Sequence, residues 1–120
     1  MILVIDDNAQ ERALIRKMLE GDGHEVREAE GGDEGLDLAQ ALRPELIICD
    51  LMMPQKDGFE TVRDLHARVP GARIVAVSGV LFGTADHATM IERLGLVAVI
   101  EKPFRQMQLL DVVCGALGRS

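Results

Sequence analysis

Three observations predict an α/β fold of the doubly wound kind: a three-layer sandwich in which a five-stranded parallel sheet lies between five helices. The first is a set of short, continuous apolar runs, Met1 to Ile5, Leu46 to Cys49, Ile74 to Val77 and Leu96 to Ile100. They are too short for helices and read as strands buried on both faces. The second is that the segments between them repeat their apolar residues at helical spacing, so strand and helix alternate along the chain. The third is that each run stops at residues able to carry chemistry: Asp6-Asp7, Asp50, Ser78 and Lys102-Pro103. Right-handed crossovers and a ligand rim at the carboxyl ends of the strands favour the strand order 2-1-3-4-5.

Taken in order, Asn8 is a good N-cap, and the helix after it carries Leu14, Ile15, Met18 and Leu19 on its expected apolar side. Gly21-Asp22-Gly23 stops it. His24 to Ala29 is half polar, as befits an edge strand. Gly31-Gly32 turns into a helix with Leu36, Leu38, Ala39 and Leu42 inward, closed by Pro44. The central strand then delivers Asp50, and Pro54 and Gly58 mark the loop behind it. Phe59, Val62, Leu65 and Val69 form the next helical stripe. Ala85 to Leu94 reads as a short helix facing inward through Ala88, Ile91 and Leu94 and ending at Gly95. The last helix is expected to bury Met107, Leu110, Val113, Cys114 and Leu117. Strands 1, 3, 4 and 5 should be more buried than strand 2.

A length of 120 residues fits one domain spanning 1–120, and 48% hydrophobic with 28% charged residues is a globular composition. The net charge of −7 opposes direct binding to nucleic acid. No run approaches the length of a membrane span, no signal peptide is legible, and Cys49 and Cys114 lack metal-like spacing; a cytoplasmic protein is expected. His24, His66 and His87 read as surface or turn residues away from the rim. Glu25, Glu28, Glu30, Asp33 and Glu34 read as a solvated acidic face. Met52 and Met53 are candidates for a partly exposed recognition surface.

A strand that ends in one Asp is, by itself, most simply a core strand reaching solvent. Adjacent parallel strands, however, end on one rim, so Asp6, Asp7 and Asp50 should converge. Three carboxylates so placed repel one another unless a cation joins them, and hard oxygen donors in small number suit Mg²⁺. Lys102 and the Ser78 hydroxyl add a positive charge and a donor for the oxygens of a transferring phosphoryl group. Asp50, alone on the middle strand, is the expected nucleophile.

These residues resemble, over essentially the whole chain, a response-regulator receiver domain of two-component signalling, of the chemotaxis-regulator-like, flavodoxin-like kind. The match is carried by Asp6 and Asp7, by Asp50 with Pro54 and Gly58, by Ser78-Gly79, and by Lys102-Pro103-Phe104. The resemblance implies a phosphorelay module, not a turnover enzyme. Asp50 would take a phosphoryl group from a sensor histidine kinase or histidine phosphotransfer protein and pass the signal to a downstream protein. It further implies that Asp7, Asp50 and the Met52 backbone carbonyl hold Mg²⁺, with Asp6 acting largely through water, while Ser78 and Lys102 hold the phosphoryl oxygens.

Several features depart from the family pattern. Val99 stands where an aromatic switch residue is common, the loop after Ser78 is unusually apolar at Val80-Leu81-Phe82, and no residues follow the last helix for an output domain. Phe82 is the candidate mobile group. Met52 and Val80 occupy positions that flank the approach of a hydrolytic water, and neither can orient one. Two other classes fit less well. A flavin carrier on the same fold would need a hydroxyl- and glycine-rich first loop and a flanking aromatic, but the chain has Asp-Asp-Asn and neither Trp nor Tyr. An aspartyl phosphatase would need a second acid where Met52 stands. A receiver-like interaction module that does not use phosphate remains the alternative.

Overall fold

The computed structural model describes residues 1–53, 58–79 and 87–118. Five strands, β1 (Ile2–Ile5), β2 (Val26–Ala29), β3 (Leu46–Asp50), β4 (Ile74–Ser78) and β5 (Ala98–Glu101), alternate with five helices. The helices are α1 (Ala9–Gly21), α2 (Gly32–Leu42), α3 (Gly58–Arg68), α4 (His87–Leu94) and α5 (Gln106–Ala116). All strand pairings are parallel and the order is β2-β1-β3-β4-β5, as the alternation predicted.

The period of two along each strand sends alternate side chains to opposite faces and so divides the core. Leu3, Ile5, Ile47, Cys49, Ile74 and Ala76 pack with Leu36 of α2, Val62 and Leu65 of α3 and Met90 of α4. On the other face Ile2, Val4, Leu46, Ile48, Val75 and Val77 pack with Ile15 and Leu19 of α1 and Leu109, Val113 and Ala116 of α5. Every residue of β1, β3 and β4 is buried. β5 departs from expectation: only Ile100 among its four residues is buried, because it forms the second edge of the sheet.

Helix phases also differ from the sequence reading. Leu14, Leu42 and Met107 are exposed at 51%, 38% and 68%, and Ala88 faces solvent. α4 buries Met90 instead, and α5 buries Leu109, Val113 and Ala116 with Leu110 and Leu117 only partly covered. A helix of three turns tolerates an apolar residue outside, so its rotation is set by what it packs against. Ala85, the expected start of the fourth helix, lies outside the described residues, as do Pro54 and the Val80–Phe82 segment.

Two glycines are required by close approach. A Cβ on Gly35 would meet the Ile5 side chain where α2 crosses β1. One on Gly58 would run into the Leu51 Cα and the Asp50 carbonyl oxygen, since the Gly58 N–H donates to the Leu51 carbonyl at 3.2 Å and brings α3 directly over the end of β3. The obstruction at Gly58 is backbone and cannot swing aside. Gly58→Ala should therefore cost roughly 1–3 kcal/mol, in the range of overpacked cores. Urea unfolding measures this, and an unchanged midpoint would contradict the close approach.

Candidate functional site

Strand register gathers the rim. Ile5 pairs with Cys49, so Asp6 emerges level with Asp50, which itself pairs with Val77. Ser78 pairs with Glu101, which places Lys102 immediately beyond β5. By strand parity Asp6 and Asp50 continue the faces of Val4 and Ile48, toward α1 and α5.

Both carboxylates are almost fully buried, Asp6 at 1% and Asp50 at 3% exposure. One oxygen of Asp50 accepts the Met52 backbone N–H at 2.9 Å, and the other accepts from the Lys102 ammonium at 3.1 Å. Asp6 Oδ1 accepts the Asn8 N–H at 2.8 Å, whereas Asp6 Oδ2 is buried without a hydrogen-bond partner among the described residues. Lys102 makes a second and shorter bond, 2.7 Å, to Glu11 Oε2. Its backbone N–H donates to the Ser78 carbonyl at 2.8 Å.

Among the described residues, carboxylate oxygens of Asp6, Glu11 and Asp50 lie within 4.8 Å of one another. Asp7 is exposed and stands outside this trio. The Ser78 hydroxyl is buried but donates to the Gly79 carbonyl at 3.0 Å, turned to its own loop. Met52 is 42% exposed, whereas Met53 is buried at 7%.

Glu11 was absent from the sequence-derived set. Its signal was its position: Asn8 caps α1 by accepting the Glu11 N–H at 3.0 Å, so a long acidic side chain in the first turn sits at the rim. Glu28, expected on a solvated face, is instead bridged by Arg12 at 2.9 Å and Arg16 at 2.6 Å. The hydrogen bond from Arg16 holds its carboxyl below the ordinary range, against a smaller cost of burial. Arg12 also donates to the Asp6 carbonyl at 2.8 Å, tying α1 to the loop that carries the acids. His66 bonds the Leu94 carbonyl at 2.8 Å, far from this chemistry. His87 departs from expectation by lying 3.8 Å from Glu101, beside the rim.

The electrostatics follow from burial. Desolvation, reinforced by the charges of Asp50 and Glu11, pushes the Asp6 carboxyl up to about 7, against the relief given by the Asn8 N–H and Lys102. Burial works against the Lys102 charge, but its bonds to Glu11 and Asp50 outweigh that and hold its pKa above the ordinary value. Burial raises the Cys49 thiol, which stays protonated behind Asp50. An orphaned buried oxygen among clustered hard donors fits a metal ion, and this acidic set can hold one. An apolar recess of about 430 Å³ opens beside it, lined by Leu14, Ile15, Pro103 and Phe104 as well as Glu11 and Lys102.

The family model for the response regulator receiver domain matches residues 2–114. The chain belongs to the response regulator receiver family. This receiver domain is 28% identical to the chemotaxis protein CheY of Halobacterium salinarum over 116 residues, 97% of this chain and 95% of that one. It is 31% identical to Protein PilH of Pseudomonas aeruginosa, with 97% and 96% covered. Its structure superposes on the receiver domain of NtrX from Brucella abortus with a TM-score of 0.87 at 30% identity, covering all of both chains. No helix among the described residues of the receiver domain is long and apolar enough to cross a membrane.

The Asp6 shift has a sign that can be measured. A carboxyl whose folded pKa is about 7, against 3.8 as its ordinary value, binds its proton more tightly in the folded state. Its stabilising contribution is complete below the ordinary value and is lost as pH rises through about 7. Without divalent cations the wild type should lose stability between about pH 5 and pH 8, and Asp6→Asn should flatten that slope. Urea titrations at the two pH values test this. Equal slopes in both proteins would refute it.

Proposed function

We propose that this receiver domain, taken as one unit over 1–120, is a phosphoacceptor module of a two-component phosphorelay. The observation that carries the reading is the Asp50 carboxylate, buried at the end of the central strand and bonded to Lys102 at 3.1 Å beside an unpartnered oxygen of Asp6. Such a carboxylate is shielded from bulk water yet faces the rim, where a phosphoryl donor can reach it.

In the proposed step one Asp50 oxygen forms a bond to phosphorus. The bond from phosphorus to the imidazole nitrogen of a donor phosphohistidine breaks, its electron pair stays on that nitrogen, and the released imidazole takes its proton from solvent. The Met52 N–H steadies the carboxylate, and Lys102 follows the charge onto the phosphoryl oxygens. Ser78 would leave the Gly79 carbonyl to donate to another of them. Asp7, Asp50 and the Met52 backbone carbonyl would hold Mg²⁺, with Asp6 acting largely through water, and the ion would supply positive charge against the phosphoryl oxygens.

A sensor histidine kinase or phosphotransfer protein is the proposed donor, and the recess beside Lys102 suits an apolar contact with it. The output is a changed interaction with a downstream protein, without direct contact to nucleic acid or membrane, in keeping with the net charge of −7. Each protein molecule takes up one group and loses it by hydrolysis or return transfer, so the module is not a turnover enzyme, and a cytoplasmic setting suits its donors.

Incubation with a small phosphodonor and Mg²⁺ should add one base-labile phosphoryl group, abolished by Asp50→Ala. Mass spectrometry that found it elsewhere, or found none, would overturn the reading. Loss of the group should be slow, because neither Met52 nor Val80 can hydrogen-bond a water in line with the acyl phosphate. Met52→Asn combined with Val80→Glu should speed the decay about tenfold, a barrier change of ~1.4 kcal/mol. Decay after donor removal reads this out, and equal lifetimes would show that these side chains do not control water.

A further inference from the structure

The Lys102 ammonium lies closer to Glu11, at 2.7 Å, than to Asp50, at 3.1 Å. Glu11 is not a loose surface acid. Its backbone is fixed by the Asn8 cap, its helix is fixed to the acid-bearing loop by Arg12, and its side chain is only 38% exposed. The ammonium thus has two carboxylate partners on two different elements. Only one of those partners gains charge when the site is loaded.

We propose that Glu11 is a positioning residue that restrains Lys102 in the unloaded site, so that Lys102 engages a phosphoryl group on Asp50 only as it gives up Glu11. This rests on the phosphoacceptor reading. The physical basis is competition for one cation. A phosphoryl group attached to Asp50 projects outward from the carboxylate, and the ammonium must follow the new oxygens. The bond to Glu11 holds it back toward α1. The restraint slows uptake and lowers the share of the loaded state, and it gives the chain a set point built from a first-turn residue of α1.

Two simpler roles for Glu11 make different predictions. If its charge merely repels the incoming anionic donor, or if it merely helps to hold the cation, the effect of Glu11 does not run through Lys102 and persists when Lys102 is removed. Only a restraint acting through Lys102 disappears with Lys102.

The experiment measures phosphorylation rates with a small anionic donor at Mg²⁺ concentrations saturating for each variant, with urea midpoints to confirm folding. Glu11→Gln keeps the shape and removes the charge. Glu11→Asp keeps the charge but is one methylene too short for the present bond. Both should raise the rate about threefold or more, and Glu11→Gln should change it by less than about 1.5-fold in a Lys102→Ala background. Glu11→Asp matching wild type, or an undiminished Glu11→Gln effect without Lys102, would overturn the proposal while leaving the phosphoacceptor reading intact. A wild type that takes up no phosphoryl group would overturn the reading itself and the proposal with it.

Discussion

The structure depends on the gathering of like charges at one rim. Asp6, Glu11 and Asp50 bring carboxylate oxygens within 4.8 Å of one another, where a pair of full charges repels by about 3–4 kcal/mol at an effective dielectric near 20. Two devices relieve this among the described residues. Lys102 places one ammonium between Glu11 and Asp50, and Asp6 holds a proton up to about pH 7. Neither relief is complete, and the unpartnered Asp6 oxygen records what is left. A site held in this condition responds strongly to any added charge, whether a divalent cation or a phosphoryl group.

Keeping such a site together falls to the backbone around it. The Asn8 cap and the Arg12 bond to the Asp6 carbonyl fix the β1–α1 loop from two sides. Arg12 is itself held by Glu28 of β2, so an edge strand that contributes no side chain to the chemistry still braces it. On the other side, the Met52 N–H bonds back to Asp50 and the bare face of Gly58 lets α3 sit on the end of β3. These groups are neutral or paired, and on the proposed function they would stay in place as charge is added to Asp50. Rigidity at the supports and imbalance at the centre are complementary requirements.

The strands, their order and most of the rim were legible in the sequence because burial on both faces leaves a continuous apolar run, and each run ends where its backbone leaves the sheet. Helix rotation was less legible. Leu14, Leu42, Ala88 and Met107 satisfy a helical stripe as well as their buried neighbours do, and which phase wins depends on the facing sheet. Burial of β5 was overestimated because its apolar run was read as covered on both faces, although the order 2-1-3-4-5 already placed it at an edge of the sheet. Glu11 escaped notice for a related reason. A first-turn acid is ordinary helix chemistry, and its reach to Lys102, ninety-one residues away in the chain, exists only once β1 and β5 share a rim.

Lys102 is where the imbalance meets the rest of the fold. Its ammonium is shared with α1, its backbone N–H is bonded to the Ser78 carbonyl at the end of β4, and the chain continues through Pro103 and Phe104 into α5. Beside it Glu101 approaches His87 at the start of α4. A charge added to Asp50 therefore acts on a residue already connected to the edge of the sheet that α4 and α5 flank. Val99, half buried against the core on the α4 side, is too small to transmit that change by moving a ring. On the proposed function, the described residues offer a reassignment of hydrogen bonds: Lys102 would move from Glu11 toward the new oxygens, Ser78 would turn from Gly79, and the β4 and β5 ends would adjust together because one backbone hydrogen bond joins them. On the proposed function, the signal at this rim is carried by which carboxylate holds the lysine.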